Sequence, residues 1–167
     1  MKNRLFGLLG TFVLTGALLA PVCFAEDFYC EVMSVEGTVT RTNASEADKP
    51  VAEGDLLAVE DVVTVGASSY ADIAYDRDWN NVTRVEENSS VRIKSLYPTE
   101  VSLEKGGIFA KLKSLPKDSS FDVSTPTAIA SVRGTEYRTT FLEGATQVYN
   151  VSDSDVYVYG FDPSGEA

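Results

Sequence analysis

The densest set of possible metal ligands lies in the stretch DRDWNNVTRVEE. Asp76, Asp78 and Asn80 alternate there, and Glu87 follows eleven positions after Asp76. That is the oxygen spacing of a calcium-binding helix–loop–helix, whose sixth loop position must be glycine to turn sharply. Asn81 holds that position, and strand-like sequence rather than amphipathic helix flanks it. The acids are therefore read as a polar β-turn, and no metal is expected. Paired carboxylates could also hydrolyse a glycosidic bond. The 25 acidic residues, however, fall mostly in turns and on outward strand positions, where a solvated acid makes a poor general acid. The chain contains no histidine, which removes Ser-His-Asp and Cys-His catalysis and nearly all zinc sites. Neither a catalytic residue nor a cofactor is expected.

Two other groups could serve recognition. The segment TPTAIASVRGTEYRTTF sets Arg133-Gly134-Thr135 inside an apolar, β-branched run. Pro126 suits a strand start or edge, and Ala128 and Ala130 allow close approach of a neighbour. Gly134 is expected to take a positive φ or a bulge. Thr135 is expected to bond its hydroxyl to nearby backbone. Arg133 has two readings. It pairs with Asp122 or Asp72 and locks the bend, or it offers its guanidinium to a partner's carboxylate. The lock is the reading adopted. The second group is aromatic. Tyr157 and Tyr159 alternate with Val156 and Val158, so one pair faces away from the core, while Trp79 sits in the polar turn. Exposed rings of this kind stack on a sugar or anchor a protein contact; ordinary strand packing is the simpler reading.

The elements that position these residues are short. Runs of Val, Ile, Thr, Tyr and Phe alternate with polar residues, as in YADIAY, VRIKSL, GGIFAKLK, EYRTTF and DVYVYGF. Between them EGD, GASS, ENSS, EKGG, PKDSS and EGA supply turn chemistry. Turn signals at this spacing mean an all-β domain. Arg41 to Asp55 reads as a surface loop leading into a strand. No heptad and no repeat of solenoid length stands out.

The 167 residues suggest one domain. Lys2 and Arg4 precede an apolar run, Leu5 to Ala20, and Pro21 and Ala25 precede Glu26. Residues 1–25 are read as a signal peptide, with an uncleaved anchor as the alternative. Residues 26–160 are the β domain and 161–167 a fraying tail. Removal of the leader leaves 12 basic against 25 acidic residues, a net charge of −13, which repels nucleic acid. Cys30 is then the only cysteine, and Tyr29 and Val32 beside it favour burial in a strand.

The order of these segments resembles the FecR domain, a bacterial family of the cell envelope, from about Val35 to Gly160. VEGTVTRTNAS is similar to its opening strand and loop. PVAEGDLLAVEDVVTVGASSYADIAY resembles the Gly-Asp turn, threonine strand end and alternating strand that follow. VEENSSVRI and LEKGGIFAKL resemble the next two segments, and FDVSTPTAIASVRGTEY is the most specific piece. The resemblance implies a periplasmic β domain of binding or scaffolding character. In the family's transmembrane regulators a cytoplasmic segment controls a sigma factor, and the periplasmic domain receives a signal from an outer-membrane transporter. No cytoplasmic segment is read before the apolar run and no further domain after the β region, so sigma-factor control is not implied.

The expectation is a single all-β domain of mainly antiparallel strands, in a rolled sandwich or short β-helix. Its core is expected at Val35, Val39, Leu56, Val63, Ile73, Val91, Ile93, Ile108, Leu112, Val123, Val132, Phe141 and Val158. A non-enzymatic binding or sensing module of the envelope is the first functional reading, and a structural or polysaccharide-associated envelope protein the alternative. A periplasmic or secreted location is expected, with an envelope protein or glycan as partner, no nucleic acid, and no transmembrane segment in the mature chain.

Overall fold

Short alternating runs of β-branched and aromatic residues satisfy their backbone by pairing into a sheet with one dry face. A computed structural model of the chain describes residues 29–113, 115–117 and 119–161. The expected signal peptide lies outside them, as do residues 162–167 of the expected tail. In chain order the strands are β1 (Glu31–Glu36), β2 (Val39–Thr42), β3 (Lys49–Pro50), β4 (Val62–Val65), β5 (Tyr70–Ala74), β6 (Asn81–Val85) and β7 (Ser90–Leu96). They continue as β8 (Thr99–Leu112), β9 (Phe121–Ser124), β10 (Ala128–Val132), β11 (Glu136–Leu142), β12 (Ala145–Asn150) and β13 (Tyr157–Gly160).

These strands form one curled 13-stranded sheet. Its pairings are antiparallel except for β8 with β9. The chain is thus a single all-β domain of the rolled, antiparallel kind rather than a β-helix. The roll turns about β8, whose 14 residues serve two halves. As far as Lys105 it lies between β7 and β9; from Gly106 it lies between β6 and β11. Half I runs β1-β5-β6-β8-β11-β12, and half II runs β3-β2-β4-β7-β8-β9-β10-β13.

EKGG, expected as a turn, is instead the bend inside β8. Gly106 takes φ +89°, and an added Cβ would stand 2.6 Å from Ser89 Cα. Ser89 closes the bend, its Oγ accepting the Gly107 N–H at 2.8 Å. The β1–β2 corner repeats the device: the Thr38 N–H donates to Ser69 Oγ at 2.9 Å beneath Gly37. VGASSYADI and VEENSSVRI are thus two copies of one motif. Each sets a buried serine after a left-handed residue, Ser68 or Asn88. This short repeat was not visible as a sequence period.

The core lies between the two halves. Val39, Val63, Ile73, Val91, Ile93, Ile108, Leu112, Val123 and Val132 are buried as expected, and Val35 and Phe141 pack against them partly buried. Two expected core positions are exposed. Leu56 is 63% exposed while Leu57 is buried, a one-residue slip in an irregular link where alternation does not hold. Val158 is 50% exposed because β13 ends half II and nothing among the described residues covers its inner side. Arg41 and Thr42, expected in a loop, still pair with β4. Phe161, expected to fray, donates its N–H to Thr127 O at 2.9 Å.

Candidate functional site

Arg133-Gly134-Thr135 is where the chain leaves half II at β10 and enters half I at β11. Thr125 prepares that passage, its buried hydroxyl holding the Ala128 N–H and carbonyl, each at 3.0 Å. Pro126 falls in this β9–β10 connection. Ala128 and Ala130 are buried, as close approach of their neighbours requires. Gly134 has φ +113°, and the nearest atom to an added Cβ would be Leu112 O at 3.9 Å. Glycine is needed here for backbone shape, not for space. The Leu112 N–H donates to Thr135 O at 3.1 Å, which docks the corner on the end of β8.

Two expectations about this corner are corrected. The Thr135 hydroxyl is buried without a hydrogen-bond partner among the described residues, as are Tyr137 OH and Thr139 Oγ1. Alternation along β11 turns Tyr137 and Thr139 inward, and Thr135, just before it, follows the same alternation; the surrounding backbone there is already paired in ladders. The Arg133 lock is also not formed. Asp72 is held by Arg84, at 2.7 Å to both carboxylate oxygens, and by Ser34 at 2.9 Å. Asp122 accepts from Ser131 and Ser120. Arg133 is exposed, with no ion pair among the described residues.

The β5–β6 turn is built by Asp76. Its carboxylate accepts the N–H groups of Asp78 at 3.0 Å, Asn80 at 3.0 Å and Asn81 at 2.7 Å. No group of three metal-binding side chains occurs among the described residues. Trp79 stands in this turn at φ +55° and is 54% exposed. Beside it a cleft of about 400 Å³ is lined by Tyr29, Tyr75, Asp78, Tyr97 and Leu115. Arg77 lies over the Tyr29 ring, 5.1 Å from its centre. Trp79 and the tyrosines of β13 stand on separate elements, four strands apart across the roll.

Tyr157 and Tyr159 are 55% and 57% exposed on the outer face of β13, opposite Ser131 and Ile129 of β10. The outward pair is therefore the tyrosines, while Val156 packs against the core. Tyr149 and Val151, at the end of β12, are also exposed; the sequence reading did not pick out that strand. Its one sequence signal is charge: from Thr139 to Ala167 there are five acids and no lysine or arginine.

The outer face of half I is, by contrast, self-paired. Arg84 clasps Asp72, Arg138 clasps Glu86 with both nitrogens, and Lys111 meets Glu136 at 2.9 Å. Hydrogen bonds to Asp72 and Glu86 push the two guanidinium groups further toward the charged form. In the interior, burial first and then Asp61 push the Cys30 thiol from 9.0 up to about 12. Burial likewise pushes the Tyr75 and Tyr137 phenols well up. These groups stay protonated at neutral pH.

An all-β roll with one self-paired face and one exposed aromatic edge is a scaffold for contact. The chain belongs to the FecR protein family, whose model matches residues 61–157, from the start of β4 to the start of β13. Membership of this family suggests a sensing or regulatory module of the cell envelope. No curated protein and no solved structure matches the chain. No helix among the described residues is long and apolar enough to cross a membrane.

Proposed function

We propose that the chain is a non-enzymatic binding module on the periplasmic or outer side of the cell envelope, reading a partner through the β13 side of the roll and the adjoining Arg133 corner. Family membership over residues 61–157 supports the envelope sensing role. The observation that carries the binding surface is the contrast between the salt-bridged strands and the β13 end. Cations on half I and on β2, β3 and β7 of half II are committed to carboxylates, whereas Arg133 is exposed and Tyr157 and Tyr159 stand in solvent on the end strand. Tyrosine and arginine are the residue types that dominate binding energy at protein interfaces.

The test uses immobilised protein and a detergent extract of envelopes. The wild type is expected to retain a defined protein. Tyr157→Ala with Tyr159→Ala, and separately Arg133→Ala, should lose that protein while melting within a few degrees of wild type. Arg133→Ala is expected to stay folded because no ion pair is broken. Retention of cell-wall or surface polysaccharide instead would replace this reading with that of a glycan-associated structural protein. Equal retention by wild type and variants would remove the face from consideration.

A further inference from the structure

A sheet with ends must protect them, because an end strand presents unpaired N–H and C=O groups that invite another strand. At the start of half I, β1 carries a bulge between Val32 and Ser34. A loop also covers it: Val32 N–H donates to Asp55 O at 2.9 Å, and Gly54 N–H to Val32 O at 2.8 Å. At the start of half II, β3 consists of Lys49 and Pro50, a cation and a residue with no N–H to offer. Both are common ways of blunting an edge.

The far end of half II differs. The β13 strand is Tyr-Val-Tyr-Gly, exposed along its whole length, with neither lysine nor proline and a regular register to β10. Phe161 N–H bonds to Thr127 O, so in this antiparallel ladder Phe161, Tyr159 and Tyr157 direct their backbone toward β10. Val158 and Gly160 then direct their N–H and C=O groups outward, away from the sheet. Val158, Tyr159 and Gly160 also lie beyond the residues matched by the family model.

Charge identifies the occupant. Strands β9, β10, β12 and β13 contain no lysine or arginine. Asp153 and Asp155 are exposed in the link that leads into β13, and Asp122 lies in the register row of Tyr157 through Ser131. Arg133 follows directly after β10. A second copy of this edge would bring like charges together. A basic segment would meet carboxylates, which favour its approach at low salt.

We propose that β13 is a strand-addition site: an extended, lysine- or arginine-bearing segment of a partner protein pairs with the outward backbone of Val158 and Gly160, its alternate side chains lying against Tyr157 and Tyr159. Main-chain hydrogen bonds supply affinity in this mode, and side chains supply selection. The proposal rests on the binding-module reading, and specifies how that module takes hold.

The test titrates isotope-labelled protein with a strand-length peptide of alternating valine and lysine, and with its valine–glutamate counterpart. The basic peptide is expected to slow amide exchange at Val158 and Gly160, with binding that weakens as salt rises. Val158→Pro deletes an outward N–H and should weaken binding about ten-fold or more, the equivalent of one lost hydrogen bond. Asp153→Asn with Asp155→Asn, in an exposed link, should weaken binding without lowering the melting temperature. Overturning results are equal binding of the acidic peptide, shifts at the tyrosine rings without protection of these two amides, or concentration-dependent self-association that protects the same amides. If Val158→Pro still retains the envelope protein that the wild type retains, strand addition fails while the binding module stands.

Discussion

At the scale of single residues, the most informative groups are three that lack partners. Thr135, just before β11, and Tyr137 and Thr139 in it point into the roll, and none of their hydroxyls has a hydrogen bond among the described residues. By contrast the half-buried Tyr75 meets Thr83 Oγ1 at 3.0 Å. An unpaired buried hydroxyl forfeits its hydration, a penalty of about 1–3 kcal/mol. Tyr137→Phe removes the hydroxyl and keeps the ring in place. Its unfolding midpoint in urea is therefore expected to equal or exceed that of the wild type, by up to about 1 kcal/mol of stability. A clear loss of stability would show that the phenol is held by a bond, for instance to an ordered water. Tyr75→Phe is the control, and should cost about 1 kcal/mol by leaving Thr83 without its partner.

At the scale of elements, two glycines turn the chain between half I and half II for different reasons. Both have positive φ, +89° at Gly106 and +113° at Gly134. A Cβ at Gly106 would press on the Ser89 backbone, whereas at Gly134 nothing lies nearer than 3.9 Å. Backbone strain alone costs about 1–3 kcal/mol, and overpacking adds about 1–3 kcal/mol. Gly106→Ala is thus expected to lose clearly more stability than Gly134→Ala, and denaturant titration of the pair checks the order. The same comparison shows what the sequence made legible. Alternation placed Ile73, Val91, Ile93, Ile108 and Val123 inside because the residues next to each in its strand keep period two, even where β7 and β8 are irregular elsewhere. It failed at Leu56, where the chain is irregular. Gly106 and Gly107 looked like a turn because glycine signals a bend without saying whether strand pairing continues through it. In β13 it was legible that one of the two alternating pairs, tyrosines or valines, faces outward, but not which. The openness of that edge was not legible, since it depends on which strand ends the sheet.

At the scale of the whole molecule, the interior collects acids whose neutral form the fold requires. Cys30 and Tyr137 belong to one core cluster, and Tyr75 packs against it with its ring 4.9 Å from that of Phe121. Burial raises the thiol from 9.0 to about 12 and moves both phenols upward. In the unfolded chain these groups ionise near their ordinary values, and in the folded chain they stay protonated. Above pH 9, therefore, the unfolded state releases protons that the native state retains, and stability falls. The contribution of Cys30 is complete below pH 9 and is lost as pH rises toward 12. The phenols add their loss above pH 10. Each fully ionising group contributes a slope of about 1.4 kcal/mol per pH unit. Urea midpoints are thus expected to hold level from neutral pH to about 9 and then to fall with increasing steepness. Cys30→Ala should flatten the first part of that fall even though the variant is less stable at neutral pH. An unchanged slope in Cys30→Ala would show that the thiol is not the first of these groups to ionise on unfolding.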